Sequence, residues 1–286
     1  MRPMVSESTG PRVTGPARLD LHLHTVLSDG RWSPERVVAD CAAGGLDVIA
    51  LTDHDLPPTL PAGEHTVGGK TVRLVHGVEL STFYGDGEQH LLVWFPGEMP
   101  ADFRAFCVTR AQARVARYDH AIASMGLTGL TPPDDAARAG HRSLTRRHLA
   151  LDIVRAGHAR SYGEAMKRFT HSSCGHVPSI ELPMVETIAR AREAGGLTAW
   201  AHPEPERCKA WLPKLARAGL QGIEGIRPGQ GRRVRQGFRK LAARHKVLVT
   251  GGSDHHGQPG RHLGHFAVSG QQSLPLLRAL APERAG

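Results

Sequence analysis

Apolar residues in this chain fall into short continuous runs, and stretches of helical character separate them. Runs rich in aliphatic and β-branched residues lie near 18–24, 46–52, 71–78, 89–95, 197–201, 222–226, 246–250 and 264–268. Such runs between turn signals read as short buried strands. Strands alternating with helices predict βα units around a parallel sheet. The first helix is marked by Ser33 as N-cap, Pro34 at the first position, Glu35 in the first turn and Gly44-Gly45 at the exit. A second helix is expected at about 184–194, ending at Gly195-Gly196, and a strongly basic one near 231–245. Between about 100 and 178 the alternation breaks. Helices are predicted there near 101–125, 145–156 and 161–170, joined by polar stretches such as TPPDDAARAG. This segment reads as a helical insertion placed to lie over a barrel mouth.

Composition narrows the picture. A chain of 286 residues with 40% apolar content can fill one large α/β domain or a barrel with an insertion. No run approaches the roughly 18 apolar residues of a membrane span. The opening MRPMVSESTGPRVTGPAR is Pro/Gly/Ser-rich without an apolar core, so residues 1–18 read as a disordered leader, not a signal peptide. The barrel domain is then expected over 19–286, interrupted by the insertion. Cys41, Cys107, Cys174 and Cys208 are scattered with no Cys-x-x-Cys, which fits a reducing cytoplasm and buried thiols. No obligate protein partner is evident. The formal charge of +9 rests on arginine, 30 of the 36 basic residues. Either arginine-rich codon usage or attraction of a polyanion such as RNA or a nucleotide would produce it.

The chemistry lies in nine candidate metal ligands: His22, His24, Asp29, His54, Glu79, His90, His202, Asp254 and His256. Several follow apolar runs, as in LDLHLH, DVIALTDHD and KVLVTGGSDHH. Residues two apart on a strand share a face, which puts His22 beside His24 and, just past another strand, Asp254 beside His256. In parallel barrels functional residues gather at the C-terminal strand ends, and each cluster is expected there. Imidazole and carboxylate donors without cysteine suit Zn, Mn, Fe or Co rather than a structural zinc site. Nine donors exceed the need of one ion, and Glu79 could bridge two. Clustered divalent ions can deprotonate a shared water and neutralise charge on attacking and leaving oxygens, as phosphate-ester hydrolysis requires.

In this order, DLHLHTVLSDG, ALTDHD, GVELS, HLLVW, AHPE and GSDHHG resemble the PHP (polymerase and histidinol phosphatase) superfamily over about residues 19–270. The resemblance implies an α/β fold, a distorted (β/α)7 barrel with a helical insertion. It also implies a trinuclear centre of divalent ions, manganese foremost, with zinc or iron as alternatives. It is closest to the subgroup of TrpH/YciV type, with nucleotide 3′,5′-bisphosphate phosphatases and 5′-to-3′ exoribonucleases. One ion would take His22, His24, Glu79 and Asp254. A second would share Glu79 and add His90 and His202, and a third would take Asp29, His54 and His256. The nucleophile would be a metal-bound hydroxide, with no other catalytic side chain. Asp53 and Asp55 would orient ligands, and His255 would turn away. The segment SLTRRHLA matches a family Thr-Arg-x-His motif, making Arg146 and His148 candidates for holding substrate phosphate. The implied partner is a nucleotide or short RNA. SSCGHVP, with His176, and EGIRPGQG depart from the family pattern, which leaves substrate identity open.

Other readings share these residues. A phosphatase of a small metabolite such as histidinol phosphate is one. An amidohydrolase also opens with His-x-His, but its bridging lysine is missing here, since Lys70 lies outside every motif. A non-catalytic module that binds RNA or protein has no need of nine intact donors.

Overall fold

The computed structural model describes residues 16–258, 263–264 and 266–281. Residues 1–15 of the expected leader lie outside the described residues. Ala17 is buried, with its N–H donating to Ser273 Oγ at 3.0 Å, and the exposed Arg18 is tied down by its guanidinium, which donates to the carbonyls of Gly44 and Gly45.

The strands are β1 (Leu19–Leu23), β2 (Val48–Leu51), β3 (Gly63–Val67), β4 (Lys70–Tyr84), β5 (Gly87–Phe95), β6 (Leu197–Trp200), β7 (Gly222–Ile226) and β8 (Leu248–Gly251). Seven of them form one path, β1-β2-β4-β5-β6-β7-β8, and β3 pairs only with β4. The path almost closes on itself. Beyond β8, Asp254 N–H donates to His22 O at 3.0 Å and His24 N–H to His255 O at 3.0 Å. The expected strand at 264–268 is, among its described residues, a single antiparallel bridge from Val268 to Leu19. The result is a nearly closed barrel.

The sheet is not wholly parallel. β5 runs antiparallel to both β4 and β6. A two-residue turn, Gly85-Asp86, joins β4 to β5, and so short a link permits only antiparallel pairing. Gly85 has a φ of +64°, and a Cβ there would collide with the Trp211 ring.

Continuous apolar runs become strands because both faces are covered. Leu19 and Leu21 of β1 pack with Val48, Ala50, Trp94 and Ala199. Asp20 and His22 occupy the alternate positions, which sets the carboxylate and imidazole on one face. The indole N–H of the buried Trp94 donates to Leu21 O at 2.9 Å, pinning β5 across to β1.

Helix α1 (Pro34–Ala43) starts at Ser33, whose Oγ accepts the Arg36 N–H at 3.3 Å. The segment between β5 and β6 contains α2 (Ala101–Met125), α3 (Asp135–Arg138), α4 (Arg146–Arg155) and α5 (Tyr162–Ala165), followed by a π-turn at Met166–Thr170. α2 belongs to two cores. Phe103 and Cys107 pack with the barrel cluster, while Val115, Tyr118 and Ala121 pack with Leu149 and Ile153 of α4. The other helices are α6 (Met184–Glu193), α7 (Pro205–Arg217), α8 (Arg232–His245) and α9 (Leu274–Ala279).

Candidate metal centre

All nine candidate donors meet in one pocket at the barrel mouth, with Glu79 at its middle. Glu79 Oε1 lies 2.9 Å from His90 Nδ1 and 3.0 Å from His202 Nε2. Glu79 Oε2 lies 3.3 Å from both His22 Nε2 and His24 Nε2 and 3.0 Å from His54 Nδ1. Asp254 Oδ1 is 3.5 Å from His22 Nε2 and 3.3 Å from His24 Nε2. On the far side of His24, Asp29 Oδ1 is 3.2 Å from His256 Nε2, and Asp29 Oδ2 is 3.8 Å from His54 Nε2. Three overlapping groups with ligand spacing result: His22, His24 and Asp254; His54, Glu79 and His90; and His24, Asp29, His54 and His256. The groups share His24 and His54, so eight donors form one continuous array, and His202, which is in none of the groups, joins it through Glu79.

The expectation that every cluster sits at a C-terminal strand end needs correction. Glu79 is in the middle of the 15-residue β4, and His90 is near the start of β5. Because β5 runs backwards, its early residues face the same mouth as the ends of its neighbours. Ser81 and His90 are paired in register, two positions beyond Glu79.

Buried polar groups brace this array. His22 Nδ1 lies 2.9 Å from Glu224 Oε1, and Glu224 Oε2 accepts the His202 N–H at 2.8 Å. A carboxylate behind a ligating imidazole fixes its tautomer and ring orientation. Asp53 accepts the Thr25 N–H at 2.8 Å, Thr25 Oγ1 at 2.7 Å and Ser28 Oγ at 2.5 Å, which shapes the loop that carries Asp29. Asp55 accepts the Ser81 N–H at 2.9 Å and Arg114 Nε at 2.5 Å. Neither aspartate joins a donor group. His255 lines a separate surface cavity with Arg31 and Trp32. Backbone strain is concentrated here: among the described residues four non-glycine positions have positive φ, and Asp55, His202 and Asp254 are three of them. Gly252 is required by close approach, since a Cβ there would stand 2.3 Å from His22 Cβ.

The residues fit divalent metal. Asp29 Oδ1, His54 Nδ1 and Glu79 Oε2 are buried without a hydrogen-bond partner. The 3.0 Å between His54 Nδ1 and Glu79 Oε2 therefore lacks donor–acceptor alignment. An orphaned buried polar atom costs about 1–3 kcal/mol. Cations among these atoms would satisfy all three, and a thiolate-free set of imidazoles and carboxylates suits first-row divalent ions.

Protons occupy part of this array when metal does not. Burial opposes charge on His22, but Glu79, Glu224 and Asp254 outweigh it and lift its pKa well above the usual imidazole value. His24, against the same burial, is pushed up to about 10 by Asp254 and Glu79. Burial also opposes charge on His90, which Glu79 and Glu88 push up to about 9. These raised values stabilise the metal-free fold fully below about 6.5, and that contribution fades as pH climbs through 9 to 10. Metal must displace these protons, so affinity rises with pH up to that range. At pH 7, titration with Mn2+ in buffers of different ionisation enthalpy should show release of at least two protons, from His24 and His90. A heat independent of buffer would contradict this charge balance.

The candidate phosphate-holding residues flank the array. Arg146 opens α4 with Nη2 3.7 Å from Glu88 Oε2, and Arg117 Nη2 is 2.9 Å from the same oxygen. The other oxygen of Glu88 is 3.3 Å from His90 Nε2. Glu88 thus joins two arginines to a candidate ligand. His148 Nδ1 accepts the Thr145 N–H at 3.1 Å, which caps α4. Burial, overcoming Asp29, lowers the His148 pKa to about 4, so at neutral pH the ring can offer phosphate a hydrogen bond but no charge. Thr145 Oγ1 donates to Asp29 Oδ2 at 3.1 Å, tying the helical segment to the array. Sequence reasoning missed Glu224, Glu88 and Arg114, and gave no role to Thr145 of the Thr-Arg-x-His motif. A carboxylate inside the apolar run GIEGI was a usable signal for Glu224; the others depend on contacts between distant segments.

A barrel mouth lined with metal donors and flanked by arginines defines a class, the metal-dependent phosphoester hydrolases. The chain belongs to the PHP domain family, whose model matches residues 20–193. It is 28% identical over 249 residues to the 5′-3′ exoribonuclease Rnm of Salmonella typhimurium, covering 83% of this chain and 84% of that one. It is 27% identical over 277 residues to the 3′,5′-nucleoside bisphosphate phosphatase of Chromobacterium violaceum, covering 92% and 96%. It is 29% identical over 258 residues to the phosphoribosyl 1,2-cyclic phosphate 1,2-diphosphodiesterase of Eggerthella lenta, covering 86% and 97%. Among solved structures, a candidate metal-dependent phosphoesterase from Bifidobacterium adolescentis superposes with a TM-score of 0.73 at 25% identity, covering 94% of this chain and 99% of that one. Among the described residues no helix is long and apolar enough to cross a membrane.

Proposed function

We propose that this chain hydrolyses a phosphate ester of a nucleotide or short oligonucleotide, as a 3′,5′-bisphosphate phosphatase or a 5′-3′ exoribonuclease. Three divalent ions, with manganese the first choice, would be held by His22, His24, Glu79 and Asp254; by Glu79, His90 and His202; and by Asp29, His54 and His256. When bound, such ions activate water near neutral pH and offset charge on phosphoryl oxygens. The carrying observation is Glu79, each of whose oxygens faces imidazoles from different elements, as expected of a carboxylate shared between ions.

The chain's own residues do the remaining work. Arg146 offers a guanidinium fork to two phosphate oxygens. Glu88 holds Arg146 and Arg117 near His90, so the phosphate site and the donor array keep a fixed relation. Asp53 and Glu224 keep the Asp29 loop and the His22 ring in place. The names of the relatives at 27 to 29% identity support a phosphate-ester substrate of nucleotide or ribosyl type.

With added Mn2+, the purified protein should act on adenosine 3′,5′-bisphosphate or on 5′-phosphorylated oligoribonucleotides, read as phosphate release and strand shortening. Histidinol phosphate and phosphoribosyl 1,2-cyclic phosphate serve as comparison substrates. Turnover of either comparison substrate alone would replace the nucleotide reading with a small-metabolite one. Metal uptake without turnover of any of the four would favour a non-catalytic module.

A further inference from the structure

From Arg227 to Val247 the chain holds six arginines and two lysines and no aspartate or glutamate. Most of this stretch is α8. Arg232, Arg233, Arg239, Lys240 and Arg244 are exposed. At 100° per residue they share an arc of about 140°, opposite the side by which the helix is anchored. The anchors are Phe238 and Ala242, both buried in the barrel cluster.

Elsewhere in the fold several helices set an arginine against a carboxylate: α1, α2, α3, α4 and α7 each do so, as in Arg36–Asp40, Arg114–Asp55, Arg138–Asp119, Arg155–Asp152 and Arg207–Asp86. Among the described residues, none of the five exposed cations of α8 has such a partner. Within α8 these exposed cations without a carboxylate partner share one stripe.

Topology sets where the stripe begins. β7 and β8 are parallel and α8 connects them, so the helix runs back along the barrel from the edge where both strands end. At that edge Glu224 of β7 contacts His22 and the His202 N–H, and Asp254 follows β8. The stripe therefore starts, at Arg232 and Arg233, at the end of the barrel that carries the metal centre, and leads away from that end for about 18 Å.

We propose that this face of α8 is a track for the sugar–phosphate backbone of a single-stranded oligonucleotide whose end lies in the metal centre. The proposal rests on the nucleotide-phosphoesterase reading and sharpens it toward an oligonucleotide substrate. A mononucleotide held in the metal centre would leave a stripe of about 18 Å unused. Membrane binding by a helix needs large apolar residues beside the cations, and a protein partner needs an apolar interface core. Val234 is the one large apolar residue that α8 exposes, and it lies off the stripe. With no aromatic side chain on the stripe for base stacking, binding is to the backbone and independent of sequence.

The test compares the parent with a variant carrying Arg232→Ser, Arg233→Ser, Arg239→Ser and Lys240→Ser. Its probe is a fluorescent, 5′-phosphorylated oligoadenylate of about twelve nucleotides, followed by anisotropy in EDTA so that binding is read without hydrolysis. Losing four phosphate contacts should flatten the log–log salt dependence by about 3, since each contributes about 0.7 for a single strand. Between 50 and 200 mM salt, the parent should lose about 50-fold more affinity than the variant. With Mn2+, the variant should lose at least tenfold in kcat/KM on the oligonucleotide yet match the parent on adenosine 3′,5′-bisphosphate.

Equal oligonucleotide binding and equal salt slopes would overturn the track. So would equally tight binding of polyglutamate, which would make the face a general polyanion surface. Oligonucleotide binding that is lost in the variant, from a protein that hydrolyses neither substrate, would uphold the track and refute the catalytic reading instead.

Discussion

Glu79→Gln should cost at least about a thousandfold in kcat, because a shared anionic ligand contributes several kcal/mol of charge stabilisation. Glutamine keeps the shape of the side chain and removes its charge. Glu79 is 1% exposed and faces His22, His24, His54, His90 and His202. No other candidate carboxylate faces so many imidazoles. Metal content offers a readout independent of turnover, and metal per chain measured by mass spectrometry should fall. The charge balance shifts as well. Glu79 is the foremost influence lifting both His22 and His90 against burial, so the variant should release fewer protons on metal binding. Full metal content with turnover within tenfold of the parent would refute the bridging role.

Asp55→Ala should give the largest loss of stability. Arg114 Nε donates to Asp55 Oδ2 at 2.5 Å, with the two side chains 4% and 0% exposed. Removing one partner of a buried pair leaves an uncompensated charge and costs about 3–5 kcal/mol. For a chain of this size that is a fall in Tm of about 10 °C, readable by thermal unfolding. Arg114 also donates to Leu144 O at 3.1 Å and to Ser81 Oγ, so the pair ties α2 to β4 and to the approach of α4. Adding Arg114→Met should recover part of the loss, because the stranded charge goes with it. A Tm within 2 °C of the parent in Asp55→Ala would mean that the pair contributes nothing net.

The barrel was legible where strands are buried on both faces, since burial demands unbroken apolar runs such as VIAL in β2 and LTAW in β6. β3 was not. Its sequence GEHTV is polar and largely exposed and pairs with β4 alone, so no core imposes a pattern on it. The Gly68-Gly69 pair was a usable hairpin signal, and both residues have positive φ, at 58° and 75°. α7 escaped notice because Pro213 interrupts its pattern, although Pro205 at its first turn is a sound start signal. The reversed direction of β5 was hidden because an apolar run carries no direction.

The candidate ligands were readable for a different reason. Imidazoles and carboxylates repeated in a fixed order in or just after apolar runs have no packing explanation. The side chains that brace them have ordinary explanations one at a time. Glu88 reads as a surface acid and Arg114 as one of many arginines until folding brings them to His90 and Asp55.

Closure of the barrel has a consequence for biogenesis. β1 is held by residues past β8, through Leu19 with Val268 and His22 with Asp254. The donor array likewise draws on both His22 and His256. A chain emerging from the ribosome exposes its first histidines long before Asp254 and His256 exist. Metal capture by the complete array therefore has to wait until synthesis has passed His256, so the chain must reach that stage without it.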